Sequence, residues 1–218
     1  MSSGMFVSDA NKVTREVSGD TLPSGAIRQR VQASFGGDGV SRDVSDADPL
    51  PARAFARMPI VSATFTRPPN ATAYAALDAV SNNATAGSVT PLAFQVADIN
   101  DAPVALYRII CRTTDTGAGG HLFKLYLYSQ SPTAVAGDNA AWSPTAMAGY
   151  IGAFTSSSFE TFADGSVGFF FQEKGTMIQT KPESSGKNVY ALLETIDGFT
   201  PSGASTVWTF TAEGQQGR

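Results

Sequence analysis

The sequence predicts an all-β protein, an antiparallel β-sandwich of jelly-roll type preceded by an extended N-terminal arm. Three observations in its 218 residues carry that expectation. Apolar side chains recur with a period of two through most of the chain, no stretch sustains a stripe at the helical period of about 3.6 residues, and large apolar groups are unevenly spread. Phe6, Phe35 and Phe55 are the aromatic residues of the first 57 positions, and the other nineteen all follow. Core-forming side chains are thus concentrated late, which predicts residues 1–57 as arm and linker and residues 58–218 as the sandwich.

In the arm, Ala26 to Phe35 alternates so that Ile27, Val31 and Phe35 share one face of a strand. Gly36-Gly37-Asp38-Gly39 reads as a turn. Asp48-Pro49-Leu50-Pro51 reads as an extended linker, because each proline biases its predecessor away from helix. A strand of this kind needs an edge to pair with, so Ile27, Val31, Phe35 and Leu50 are the candidate partner contacts.

Behind Pro59, Val61, Ala63 and Phe65 alternate with Ser62, Thr64 and Thr66, and Leu92, Phe94 and Val96 alternate with Ala93, Gln95 and Ala97. Both read as half-buried strands. Ala105 to Arg112 places Tyr107, Ile109 and Cys111 on one face and Arg108 and Arg112 on the other, which puts the cysteine in the core. His121 to Tyr128 follows the turn-rich Asp115 to Gly120, predicting a hairpin between these two strands in which His121 shares a face with Phe123, Leu125 and Leu127. Val167 to Phe171 is too apolar for an exposed strand and is expected between layers or in an interface. Val189 to Ile196 and Thr206 to Thr211 complete about eight strands, the last with Trp208 and Phe210 on one face. Ala71 to Val80 and Ser143 to Ile151 are expected to take at most a helical turn or two.

Composition narrows the function. Charged residues make up 16%, against about 25% in soluble domains. The net charge of -4 argues against a surface built to neutralise phosphates or to lie on anionic lipid, so no nucleic acid and no membrane partner is expected. The start, MSSGMFVSDANK, has no basic segment followed by an apolar one, so the chain reads as unexported. The lone Cys111 forms no intrachain disulfide, and the lone His121 closes off the multi-histidine patterns of zinc chemistry. No Gly-x-Ser-x-Gly elbow offers His121 a nucleophile. Asp38, Asp43, Asp46 and Asp48 lack the spacing of a calcium loop and have Arg42 and Arg53 among them. Glu160, Asp164, Glu173, Glu194 and Asp197 supply carboxyl groups for glycoside cleavage, but their spacing selects no pair. No catalytic residue, metal ligand or cofactor is assigned. Tyr126 and Tyr128 beside Lys124 could stack on sugar rings, or pack against a neighbouring sheet or subunit.

Ser62-Ala63-Thr64-Phe65-Thr66-Arg67-Pro68, followed by Thr72-Ala73-Tyr74-Ala75-Ala76-Leu77-Asp78-Ala79-Val80, resembles a similar opening in a group of tailed-bacteriophage structural proteins, with Leu77-Asp78 where Gly-Asp is usual. The resemblance extends to Leu125-Tyr126-Leu127-Tyr128, to Ala136-Gly137-Asp138-Asn139-Ala140-Ala141-Trp142 and to Asn188-Val189-Tyr190-Ala191-Leu192-Leu193. Upstream it takes in Phe35 to Val40 and Val44 to Pro51. It implies a non-enzymatic virion component made in the host cytoplasm, a decoration or cement protein on the capsid exterior. A tail- or fibre-associated protein, or a carbohydrate-binding virion module, is the near alternative. The implied partners are the major capsid protein or other virion subunits, and further copies of the chain, a trimer among the arrangements.

Overall fold

Among the strands of residues 60–216, the first pairs with the last and the pairing proceeds inward. The computed structural model describes residues 58–143, 147–172 and 177–216 in full, together with the backbone of six short strands between Met5 and Asp43. The chain divides into two compact units, Met1–Ala54 and Phe55–Arg218. In the first, β1 (Met5–Ser8) pairs with β2 (Thr14–Val17), β3 (Gly19–Thr21) with β4 (Ile27–Gln29), and β5 (Ser34–Phe35) with β6 (Arg42–Asp43), all antiparallel.

The second unit contains β7 (Ile60–Thr66), β8 (Ala79–Val80), β9 (Leu92–Gln95), β10 (Val104–Thr113), β11 (Phe123–Tyr128), β12 (Tyr150–Ser156), β13 (Glu160–Phe162), β14 (Gly165–Gln172), β15 (Ile178–Thr180), β16 (Asn188–Thr195) and β17 (Val207–Gln216). Strand β7 pairs with β17, β9 with β16, β10 with β14 and β11 with β12, all antiparallel. Pairing of β17 with β10, and of β16 with β11, then assembles two layers, β7-β17-β10-β14 and β9-β16-β11-β12. This is a jelly roll: a long antiparallel ribbon rolled so that its pairs alternate between two facing sheets. Short β13 and β15 extend the first layer and β8 the second. A brief ladder between Phe154–Ser156 and Phe170–Gln172 stitches the layers along one side, so that the hydrogen bonding runs continuously around the core.

The period-two pattern places the core as expected. Ile109, Cys111, Phe123, Leu125, Leu127, Phe154, Phe170, Trp208 and Phe210 are completely buried between the layers. Trp208 stands at the centre, its ring 5.1 Å from Phe123 across the sandwich and 6.3 Å from Phe65 beside it. Aromatic contacts at these separations add to the area each ring removes from water. Phe159 reaches the same cluster because Gly168 leaves room, and a Cβ at Gly168 would overlap its ring.

Two expectations change in the structure and two are sharpened. Strands β10 and β11 form no hairpin: β10 already has β17 and β14 as neighbours and β11 has β12 and β16, so the segment between them crosses from one layer to the other. It carries a single 3-10 turn, Thr116–Ala118, with Asp115 as its N-cap. Tyr107 leaves the core face because the register slips between Leu106 and Arg108, which pair with the consecutive residues Gly214 and Glu213. That bulge resets the phase so that Leu106 and Ile109 both point inward. No helical turn forms over Ala71 to Val80, since its amides donate elsewhere: Tyr74 to the Phe199 carbonyl, Ala75 to the Asp78 carboxylate and Leu77 to the Thr195 carbonyl. Finally, the apolar run of β14 is divided, with Phe170 in the core and Phe171 48% exposed on the outer face.

Candidate functional site

Two of the segments that carry the phage resemblance, 62–80 and 136–142, meet in one place. Arg67 follows β7, Tyr74 lies in the irregular stretch that precedes β8, and Asp138 lies in the connection before β12. Their side chains form a closed network with no solvent access to either charged group. The Tyr74 hydroxyl donates to Asp138 Oδ1 at 2.6 Å, Arg67 Nη2 donates to Asp138 Oδ2 at 3.4 Å, and Arg67 Nε donates to the Tyr74 oxygen. The guanidinium also lies over the Tyr74 ring, 4.7 Å from its centroid. The Ser81 amide gives Asp138 a further donor at 2.9 Å. Burial pushes the Tyr74 phenol far above its ordinary range, with the Asp138 charge adding to it, so the hydroxyl keeps its proton and acts as a donor.

Backbone bonds tie the same segments together. Ala79 donates to the Ala140 carbonyl, Asn139 to Ala79 and Trp142 to Leu77. Asn139, with its amide nitrogen turned toward acceptors, reaches the Ala73 carbonyl at 3.1 Å and Asp78 Oδ2 at 3.2 Å. The resembling residues are thus a lock that clips two long connections to each other and to the second layer, and none of the three buried groups is open to a substrate.

A second buried carboxylate, Asp115, closes a neighbouring crossover beside Thr206, whose carbonyl accepts from the Arg67 amide. It accepts from the amides of Gly117 and Ser202 at 3.0 and 2.8 Å, from the Ser202 hydroxyl at 2.9 Å and from the Thr206 hydroxyl at 3.3 Å. The layer-crossing turn and the loop that leads into β17 are thereby held to one acceptor.

The outer face of the second layer carries the aromatic group. Tyr126 stacks on Trp142 at 4.5 Å, Tyr150 lies 5.7 Å from Tyr128, and Lys124 sits over the Tyr126 ring. Of the two tyrosines weighed for sugar stacking or for packing, Tyr128 is buried beneath Val89, Ala134 and Leu192, and Tyr126 already has a ring against it. Tyr150, 46% exposed, is the aromatic surface that remains. The Tyr126 hydroxyl donates to Glu194 Oε2 at 2.9 Å. Glu194 is only 4% exposed, and burial raises its pKa against the opposing pull of Tyr126 and Lys124.

Other residues weighed from the sequence are dispersed. His121 precedes β11 instead of opening it, and its Nδ1 lies 3.4 Å from Asp197 Oδ2 without hydrogen-bond geometry. Cys111 is fully buried, which raises its thiol pKa. Glu160 and Asp164 are exposed on and beside β13, on a different layer from Glu194. Of the candidate partner contacts, Ile27 lies in β4 opposite Thr21 and Phe35 in β5 opposite Arg42. Val31, Leu50, Asp38, Asp46, Asp48 and Glu173 lie outside the described residues. The Arg67, Tyr74 and Asp138 network could not be picked out by spacing, because Asp138 is 64 residues beyond Tyr74. Its three members do lie within the segments that carry the resemblance, but nothing in the sequence singled them out. No protein-family model matches the chain, and no curated protein sequence matches it.

Proposed function

We propose that this chain is a non-enzymatic structural protein of a tailed-phage virion, a decoration or cement subunit on the capsid exterior. Residues 1–57 are the anchoring arm, and the jelly roll oligomerises or projects outward. The observation that carries this reading is the convergence of the resembling segments, 62–80 and 136–142, on one buried lock. Residues shared for the sake of a fold belong where connections must be clipped together. The division of the chain at Ala54 and Phe55 supports an arm that is separate from the body. In this reading Ile27, Val31, Phe35 and Leu50 contact the major capsid protein or another virion subunit, through backbone pairing at a sheet edge.

Co-sedimentation with heads that lack this protein tests the proposal. The full chain is expected to pellet with the particles. A chain begun at residue 58, still giving a β-type circular dichroism spectrum and a cooperative melt, is expected to stay in the supernatant. If the truncated chain decorates heads as well as the full one, the arm is not the anchor; if the full chain binds no particle component, the virion reading fails.

A further inference from the structure

We propose that a groove on the outer face of the first layer, beside the bulge at Tyr107, binds a neutral saccharide unit. This inference does not depend on the virion reading. The groove has a volume of about 350 Å³, within the range of roughly 300–1,000 Å³ typical of small-molecule sites. Its construction follows from register. Ala105 pairs with Gln215 of β17 on one side and with Gln179 of β15 on the other. Two amide side chains therefore stand on either flank of an alanine floor, about 10 Å apart at two strand spacings. The bulge supplies the end wall, since the extra residue of the strand is Tyr107 and its side chain lines the groove. Gly214 permits the close strand approach there, because a Cβ would stand 2.6 Å from the Ala105 carbonyl oxygen.

The chemistry of the lining selects the ligand. The Gln215 amide oxygen accepts a hydrogen bond from the Tyr107 hydroxyl, which leaves its amide nitrogen to donate. The Gln179 amide nitrogen faces the Met177 sulfur at 3.6 Å, a weak acceptor that a ligand oxygen displaces at little cost. Pro103 and Met177 add apolar surface. None of the lining residues is charged, and among the described residues beside them in sequence Arg108 is matched to Glu213 and Lys181 to Asp101. An ionic ligand would find no free counter-charge in this lining. A ring with adjacent hydroxyl donors and acceptors on its rim and carbon–hydrogen bonds on its faces satisfies the amides and the apolar wall together, and that is a hexose.

The test is two-dimensional amide NMR of the full chain, with glucose, galactose, mannose and N-acetylglucosamine added singly at tens of millimolar. At least one sugar is expected to move the resonances of Ala105, Tyr107, Gln179 and Gln215. The double variant Gln179→Ala, Gln215→Ala is expected to weaken that response by at least about tenfold, the loss of one to two hydrogen bonds. Gln179→Ala alone, at an exposed edge position, serves if the double variant loses its cooperative melt. The proposal is overturned if no sugar moves these residues, if the shifts centre on Tyr126 and Trp142, or if the folded variants respond as the parent does.

Discussion

Asp138 and Asp115 are both buried at turns of the jelly roll, and they are satisfied in opposite ways. Asp138 faces a cation, Arg67, together with a phenol and one backbone amide, whereas Asp115 faces two backbone amides and two hydroxyls and, among the described residues, no cation. Each gathers segments far apart in sequence, so each performs the same mechanical task of holding a connection across the sandwich. The difference is what must be buried along with the carboxylate. Asp138 requires a whole guanidinium to leave water, and Nη1 of Arg67 finds no hydrogen-bond partner among the described residues. Asp115 draws on amide and hydroxyl donors that carry no charge, so no second ion is desolvated to satisfy it. An ion pair is thus the more expensive clip per contact, and the one whose partial removal does more damage.

Removing one partner of the ion pair is therefore the largest effect expected. Asp138→Ala strands Arg67 in the interior and is expected to lower unfolding stability by about 3–5 kcal/mol, read as a fall in the urea midpoint. Replacing both partners, Arg67→Met with Asp138→Leu, is expected to recover most of that loss, since neither charge is then left desolvated. If the double replacement is as unstable as the single one, the pair contributes through geometry that apolar packing cannot replace. At the other clip, Asp115→Ala leaves four donors without their acceptor, two of them beside solvent, and is expected to cost about 2–3 kcal/mol. A loss equal to that of Asp138→Ala would break the distinction between the two.

Glu194 extends the comparison to a carboxyl group with poor support. Its pKa is raised by burial, so the folded protein holds this proton more tightly than the unfolded chain does. Between the ordinary carboxyl range and the raised folded value, the folded state binds more protons, and its stability falls as pH rises through that window. Glu194→Gln keeps an acceptor for Tyr126 and removes the charge. It is expected to melt higher than the parent at about pH 8 and to lose most of that advantage at about pH 4, where both states of the parent are largely protonated. An advantage that persisted at the acidic end would mean the gain came from packing.

Several of these features were legible from residue order. Alternation placed Trp208, Phe210, Phe123 and Cys111 in the core, because burial on one face of a pleated strand leaves a period-two trace. The same logic failed at Tyr107, where a bulge adds one residue and inverts the phase without altering composition. It failed again at Asp115 to Gly120, whose glycines suit a hairpin as well as a layer crossing; only the demands of the other strands decide between them. The clips were the least visible, since Arg67, Asp138, Asp115 and Ser202 come together through topology and not through spacing. The groove at Ala105 was hidden for the same reason: its two glutamines belong to strands that become neighbours of β10 only after the ribbon has rolled.

The smallest expected effect concerns a position where the chain departs from the pattern it resembles. Leu77 stands where a glycine is usual, with its φ at +64°, a left-handed conformation that crowds an L residue against its own carbonyl. The backbone there is fixed by two bonds of the second-layer clip, Leu77 donating to Thr195 and accepting from Trp142. The side chain itself is 54% exposed, so little packing is lost when it is removed. Leu77→Gly relieves a strain of about 1–2 kcal/mol and gives back about 1 kcal/mol through the freer unfolded chain, for a net gain of about 0.5 kcal/mol. Leu77→Val, branched at Cβ and still left-handed, is expected to move the urea midpoint the other way. If glycine destabilises instead, the Leu77 side chain contributes contacts that outweigh its backbone strain, and the departure from the usual glycine is an adaptation of this chain's own surface.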